Sequence, residues 1–330
     1  MHLKVDRSTP TRLFSGDDDA AAVLDKGHGS SKRIMAARVP ALRARKQLTL
    51  SDCVDQSIHE VKWPPSLEQL TFGYQFNTPI DFISWPPSLK ELTFGCHFDC
   101  EVGLVQWPPS LERITFGFKF NHKIEGISFP PFLLEALTGD PDFFKAIEWP
   151  DSLQEMTFGG EFNQPIERVA WPASLQRLTF AIFGGEFDRP IDNVSWPASF
   201  WPASLQRLGF GDGFNQPIDQ VVWPSSLQQL ALGDEYGRGT GFNQPIHLVS
   251  WPASLLQVTF GRDFKQAIHE VNWPSSLQRL EFKSALQWPE EGVTFPASLR
   301  QIEVQRRPEE PLPEVPGVDV CRFWNKYWVD

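Results

Sequence analysis

Residues 63–84 read Trp63-Pro64-Pro65-Ser66-Leu67-Glu68-Gln69-Leu70-Thr71-Phe72-Gly73-Tyr74-Gln75-Phe76-Asn77-Thr78-Pro79-Ile80-Asp81-Phe82-Ile83-Ser84, and this phrase returns along most of the chain. Its copies open at Trp63, Trp85, Trp107, Phe129, Trp149, Trp171, Trp196 or Trp201, Trp223, Trp251, Trp273 and Phe295. Most steps are 22 residues; the exceptions are 20 (Phe129 to Trp149), 25 (Trp171 to Trp196) and 28 (Trp223 to Trp251). A period in this range means one supersecondary unit per copy, stacked so that each covers the apolar side of the next. The chain therefore reads as one continuous solenoid, although 330 residues would otherwise suggest two globular domains.

The apolar spacing inside a copy predicts how it folds. Leu70 and Phe72 alternate on one side of an extended segment, which places a strand over about Gln69 to Gly73 and at the same point of later copies. Pro64 and Pro79 lack the N–H a ladder needs, so they belong to corners that bracket the strand. A second alternation, as in Val61-x-Trp63, Ile83-x-Trp85 and Val271-x-Trp273, predicts a shorter stretch of parallel pairing on the opposite wall. Helix is excluded, because no copy holds a Pro-free amphipathic run of ten residues. Equivalent positions of stacked coils lie about 4.8 Å apart. Indole and phenyl columns are then expected inside. Asn77, Asn121, Asn163, Asn215 and Asn243 should form an amide ladder, and the recurring Ser (Ser66, Ser88, Ser110 and later copies) should bond nearby backbone.

These residues resemble the FNIP repeat family, named for the Phe-Asn-x-Pro motif seen here as Phe162-Asn163-Gln164-Pro165-Ile166 and Phe214-Asn215-Gln216-Pro217-Ile218. The likeness covers about Trp63 to Val304. It implies a right-handed parallel β-solenoid of the leucine-rich-repeat kind, mainly β with little helix, and a role in protein interaction with no catalytic residues. The family's link to an F-box finds no counterpart in residues 1–38. These are expected to form a flexible N-terminal segment. The solenoid is expected over 39–304, with 39–62 as a degenerate cap and 63–304 as the repeats. Residues 305–330 are expected to form a Pro-rich linker with an aromatic tail that covers the last coil. The copy at Phe129 is the weakest, since Ala136 and Thr138 stand where Leu and Phe belong.

Composition narrows the function. A net charge of −11 argues against nucleic acid or an anionic membrane as partner. No apolar run nears the roughly 18 residues of a membrane span, and no targeting pattern opens the chain. The expected setting is the cytoplasm, as a monomer. Cys53, Cys96, Cys100 and Cys321 fall at no repeated position, so reduced thiols are expected, with no metal and no cofactor.

The strand leaves two outward columns, one residue before and one after the inward Leu. In leucine-rich repeats such columns face the concave surface and form the usual contact site. The first holds Arg113, Arg177, Arg207 and Arg279, candidate anchors because Arg is enriched at interface hot spots. Two insertions follow strands, Ala181-Ile182-Phe183 and the segment from Gly233 to Gly241, and the second adds Tyr236 and Arg238 as candidates. About ten coils make a body near 50 Å long, enough for an interface of about 800 Å² per partner. The chain thus reads as a non-catalytic protein-interaction scaffold, not an enzyme. Sugar binding through exposed indoles is the alternative, followed by a polysaccharide-acting enzyme. For the latter, the adjacent outward acid pairs are Glu135 with Glu155 and Glu281 with Glu303. No His, Lys or Arg stands obviously beside either pair.

Overall fold

The computed structural model describes residues 45–52, 55, 57–124, 147–167, 169–180, 185–191, 201–233, 241–284, 288, 293–305 and 311–323. Twelve strands follow one another: β1 (Gln47–Thr49), β2 (Gln69–Thr71), β3 (Glu91–Thr93), β4 (Arg113–Thr115), β5 (Glu155–Phe158), β6 (Arg177–Phe180), β7 (Arg207–Phe210), β8 (Gln229–Leu232), β9 (Gln257–Phe260), β10 (Arg279–Phe282), β11 (Gln301–Gln305) and β12 (Asp319–Phe323). They form a single sheet in sequence order, and every pairing is parallel. No helix occurs among the described residues, and none is long and apolar enough to cross a membrane. This is a parallel β-solenoid of about ten turns.

Alternation places the core. The second residue of each strand from β1 to β11 is buried, and the residues on either side of it are more exposed except for Glu281 of β10. Behind the sheet run two phenyl columns. One stacks Phe72, Phe94, Phe116, Phe158, Phe180 and Phe210 with centroids 5.3, 5.9, 5.4, 5.5 and 5.6 Å apart. The other runs unbroken from Phe76 to Phe264 at 6.1–6.3 Å per step. Such offset stacking adds about 0.5–1.5 kcal/mol per pair to the burial itself. The indoles stack on the far side, Trp85 on Trp107 and Trp251 on Trp273.

Polar ladders tie the corners. From Ser88 on, each recurring Ser among the described residues donates its hydroxyl to the Leu carbonyl one coil back, as Ser110 to Leu89, Ser226 to Leu205 and Ser276 to Leu255, all at 2.7 Å. At the turn the side-chain oxygen of Asn or Asp accepts the backbone N–H of the same position one coil on. The series runs Asp55 to Asn77 (3.0 Å), Asn77 to Asp99 (2.8 Å), Asp99 to Asn121 (3.1 Å), then onward through Asn163, Asp188, Asn215 and Asn243. Only the acceptor oxygen is used, which is why Asp serves as well as Asn. Where Gln follows, its amide donates to the previous coil's carbonyl, as Gln244 to Asn215 at 2.9 Å and Gln266 to Asn243 at 2.8 Å.

Three expectations are corrected. The second wall carries no strand pairing among the described residues. Its N–H groups turn back within their own coil, Val61 to Ile58 and Val105 to Val102, or Trp171 to Val169 and Trp273 to Val271. The Pro after each Trp offers no donor either, and its carbonyl accepts from the Leu three residues on. Second, the copy at Phe129 adds no rung. Arg113 of β4 lies opposite Glu155 of β5, 42 positions later. Residues 125–146 lie outside the described residues. Third, the sheet does not stop at Val304. Val318 and Val320 pack against the core, and β12 pairs with β11 where a linker was expected. Of the five-residue stutter, Trp196–Phe200 lies outside the described residues, and Trp201 is the indole buried in the stack.

The coil also sets cysteine chemistry. Burial, then the charges of Asp99, Asp55 and Asp81, push the Cys100 thiol up to about 11, while its S–H donates to Asn77 Oδ1 at 3.2 Å. At pH 8 its thiolate is then about a hundredfold rarer than that of an ordinary thiol. Iodoacetamide labelling of Cys100, followed by mass spectrometry, is expected to be slower than that of a free cysteine peptide by about this factor. Equal rates would contradict the buried, anion-flanked placement.

Candidate functional site

The outward columns form one face of the sheet, and its charges are mostly matched. Along the first column Glu91, Arg113, Glu155 and Arg177 alternate in sign. Arg113 pairs with Glu91 and reaches Glu155 at 4.0 Å, and Arg177 pairs with Glu155. These side chains are 25–42% exposed, so the pairs hold the face in order more than they stabilise the fold. In the ladder Glu155 stands between Arg113 and Arg177, and Glu135, its expected neighbour, lies outside the described residues.

A second matched cluster sits on β10 and β11. Arg279 contacts Glu281 at 2.8 Å and Glu303 at 2.6 Å, and Lys283 contacts the same carboxylates at 3.2 and 3.7 Å. Gln257 Nε2 donates to Glu281 at 2.8 Å. The acid pair expected to stand without basic partners therefore has two. Lys283 was missed because it stands at the Gly position that ends the strand phrase, outside the two outward columns. Glu281 is buried, so removing its charge leaves Glu303 alone to match two cations. Glu281→Ala is expected to destabilise the chain by about 3 kcal/mol. Urea unfolding measures this, and a loss below about 1 kcal/mol would place the cluster in solvent instead.

Arg207 differs. It is exposed on β7, and among the described residues no acid pairs with it. Its rung neighbours are Arg177 and Gln229. Burial first, and then repulsion from Arg207 and Arg113, lowers Arg177 from the ordinary guanidinium range. In the second column the Thr of β2 to β6 gives way to Gly209 and Ala231, and returns as Thr259 on β9. The two missing side chains leave a hollow of about 240 Å³, lined by Thr179, Arg207, Gly209, Gln229, Ala231, Gln257 and Thr259 and by Leu208 and Leu230.

Nothing in the fold requires glycine at 209. A Cβ there would lie 3.6 Å from the Thr179 methyl, an ordinary contact. Its backbone is not in the left-handed region either, unlike Gly233 (φ 98°) and Gly317 (φ 76°). Glycine in a strand costs about 0.5–1 kcal/mol relative to alanine. The fold tolerates that cost and gains an opening beside an unmatched cation. Both departures were visible as breaks in the Thr column, though a column of letters does not show that adjacent gaps merge into one hollow.

The other sequence candidates fare differently. Arg113, Arg177 and Arg279 are tied to acids, and Tyr236 and Arg238 lie outside the described residues. Among the described residues the stacked indoles offer no sugar platform. Trp107, Trp149, Trp201, Trp223 and Trp273 are buried. The indole nitrogens of Trp63, Trp85, Trp171 and Trp251, whose rings are half-buried, are shut from solvent too.

A family model described as FNIP Repeat matches residues 55–97, 199–235 and 242–284. Over those three stretches the chain matches the FNIP repeat. The second match takes in β7 and β8, so the hollow is built on FNIP coils. Among solved structures, this chain is similar to CroV588, described as a novel circular LRR protein, at 24% identity over 85% of the chain and 56% of that protein, with a TM-score of 0.36. The chain thus spans little more than half of that protein's length. An internalin (inlF) from Listeria monocytogenes matches at 13% identity, 86% and 88% coverage and a TM-score of 0.43. The pneumococcal vaccine antigen PcpA matches at 11% identity, 82% coverage of each chain and a TM-score of 0.25. A comparison with curated proteins found no match. At these scores the solenoid rests on its own strand register, and the FNIP assignment on the matched repeats.

Proposed function

We propose that this FNIP-repeat solenoid is a non-catalytic protein-interaction scaffold whose partner docks on the outward face of the sheet across β6 to β9. The observation that carries this reading is the hollow over Gly209 and Ala231 beside an arginine that no acid among the described residues pairs with. Elsewhere on the face the cations are neutralised within the chain and the second column is filled. Flat, matched surfaces supply complementarity, whereas an unmatched arginine at a recess has the makings of a hot spot. Catalysis is not favoured, because Glu281 and Glu303 are held by Arg279 and Lys283. A monomer in the cytoplasm, with protein rather than nucleic acid or membrane as partner, fits the charge of −11 and the cysteines Cys96, Cys100 and Cys321, which are free thiols.

The test is co-purification from the native cell with three proteins: the unaltered chain, Arg113→Ala, and Arg177→Ala/Arg207→Ala. The partner is expected to stay with the first two. The double variant should lose about thirtyfold or more in affinity, the scale of a hot-spot arginine. Full retention by the double variant would remove this surface from consideration.

A further inference from the structure

Resting on that docking surface, we infer that the partner meets it with an acidic, extended segment, placing an Asp or Glu carboxylate on Arg207 and short neighbouring residues in the hollow over Gly209 and Ala231. The recess is rich in hydrogen-bond donors. Arg207 offers a five-donor guanidinium fork, and the Gln229 amide beside it makes no hydrogen bond among the described residues. Thr179 and Thr259 add hydroxyls at the rim. Among the described residues no carboxylate lines the hollow. On a chain of net charge −11 this is a local reversal of sign.

The geometry favours a carboxylate over a phosphate. Phosphate recognition ordinarily uses several cations around a dianion. Here the guanidinium on one side, Arg177, is already paired with Glu155, which leaves a single unmatched positive charge. A monoanion matches that charge, and the planar fork suits its two oxygens. The floor is backbone and a methyl group, so a bulky side chain opposite it would be excluded, while an extended segment with small residues lies close.

The experiment uses the full chain against an immobilised set of ten-residue peptides with random flanks and a central Glu, Gln or Lys. The unaltered protein is expected to retain Glu-centred peptides at least tenfold better than Gln-centred ones. Arg207→Gln should bring that ratio to about one, and Gly209→Thr should weaken retention of every class. Equal retention of Glu and Gln peptides, with loss in Gly209→Thr, would overturn the acidic preference and leave the docking surface standing. A preference for Lys would do the same. Retention unchanged in both variants, or none by the unaltered protein, would count against both. Thermal unfolding of each variant shows that it is folded.

Discussion

Gly95→Ala is expected to destabilise the chain by about 3 kcal/mol or more, at the upper end for overpacking. The reason is the approach of successive coils where the strand ends. A methyl at Gly95 would overlap the carbonyl oxygen of Gly73, and one at Gly117 would overlap that of Gly95. The obstructing atoms are backbone, so no side chain can rotate away. Relief would need the coils of β2 and β3 to separate, which also strains the bond from Phe72 N–H to the Thr93 carbonyl. Because a solenoid coil is held only by its neighbours, the break should uncouple the first coils from the rest. Urea unfolding followed by hydrogen exchange is expected to show β1 and β2 opening before the other strands. A single unshifted transition would contradict this.

Phe214→Ala is expected to cost about 4 kcal/mol. Phe214 is fully buried and touches rings on three sides: Phe210 at 4.2 Å in its own coil, Phe187 at 6.3 Å before it and Phe242 at 6.2 Å after it. A cavity there cannot close without moving two coils, because the same column fixes their spacing. Phe214→Leu should recover roughly half of the loss, since it refills part of the volume. Equilibrium denaturation checks both variants, and a cost near 1 kcal/mol for alanine would mean that the column is not close-packed.

The repeat made one wall of the solenoid readable and left the other obscure. Leu70 and Phe72 alternate in a Pro-free segment, so their period could be trusted, and the strand and both phenyl columns followed. The Asn and Ser ladders were also legible, since a short polar side chain at a fixed corner position has few partners except backbone one coil back. The Val-x-Trp segment shows the same alternation. There local turns take its N–H groups and the following Pro supplies none, and apolar spacing carries no trace of where hydrogen bonds go. The missing rung at the Phe129 copy was hinted at by Ala136 and Thr138. What period counting could not supply was the consequence that Arg113 meets Glu155.

The same limit governed the candidate site. Six residues stood out by type, and type says nothing about pairing. Arg113, Arg177 and Arg279 proved to be tied to acids set by cross-coil register, and only the strand order singled out Arg207. The last coil was hidden because Leu312, Val315, Val318 and Val320 pack without repeating the phrase. Lys283 lies one residue beyond β10, and its reach to Glu281 and Glu303 appears only once the strands are side by side.

The unfolding free energy of Gly209→Thr shows most directly whether one rung of this sheet is kept empty for something outside the fold. Restoring the column residue fills space that is already open and removes a strand glycine, so stability should rise by about 0.5–1 kcal/mol. A fall of 1 kcal/mol or more would mean that the glycine serves the fold itself, and the hollow would lose its claim as a binding site.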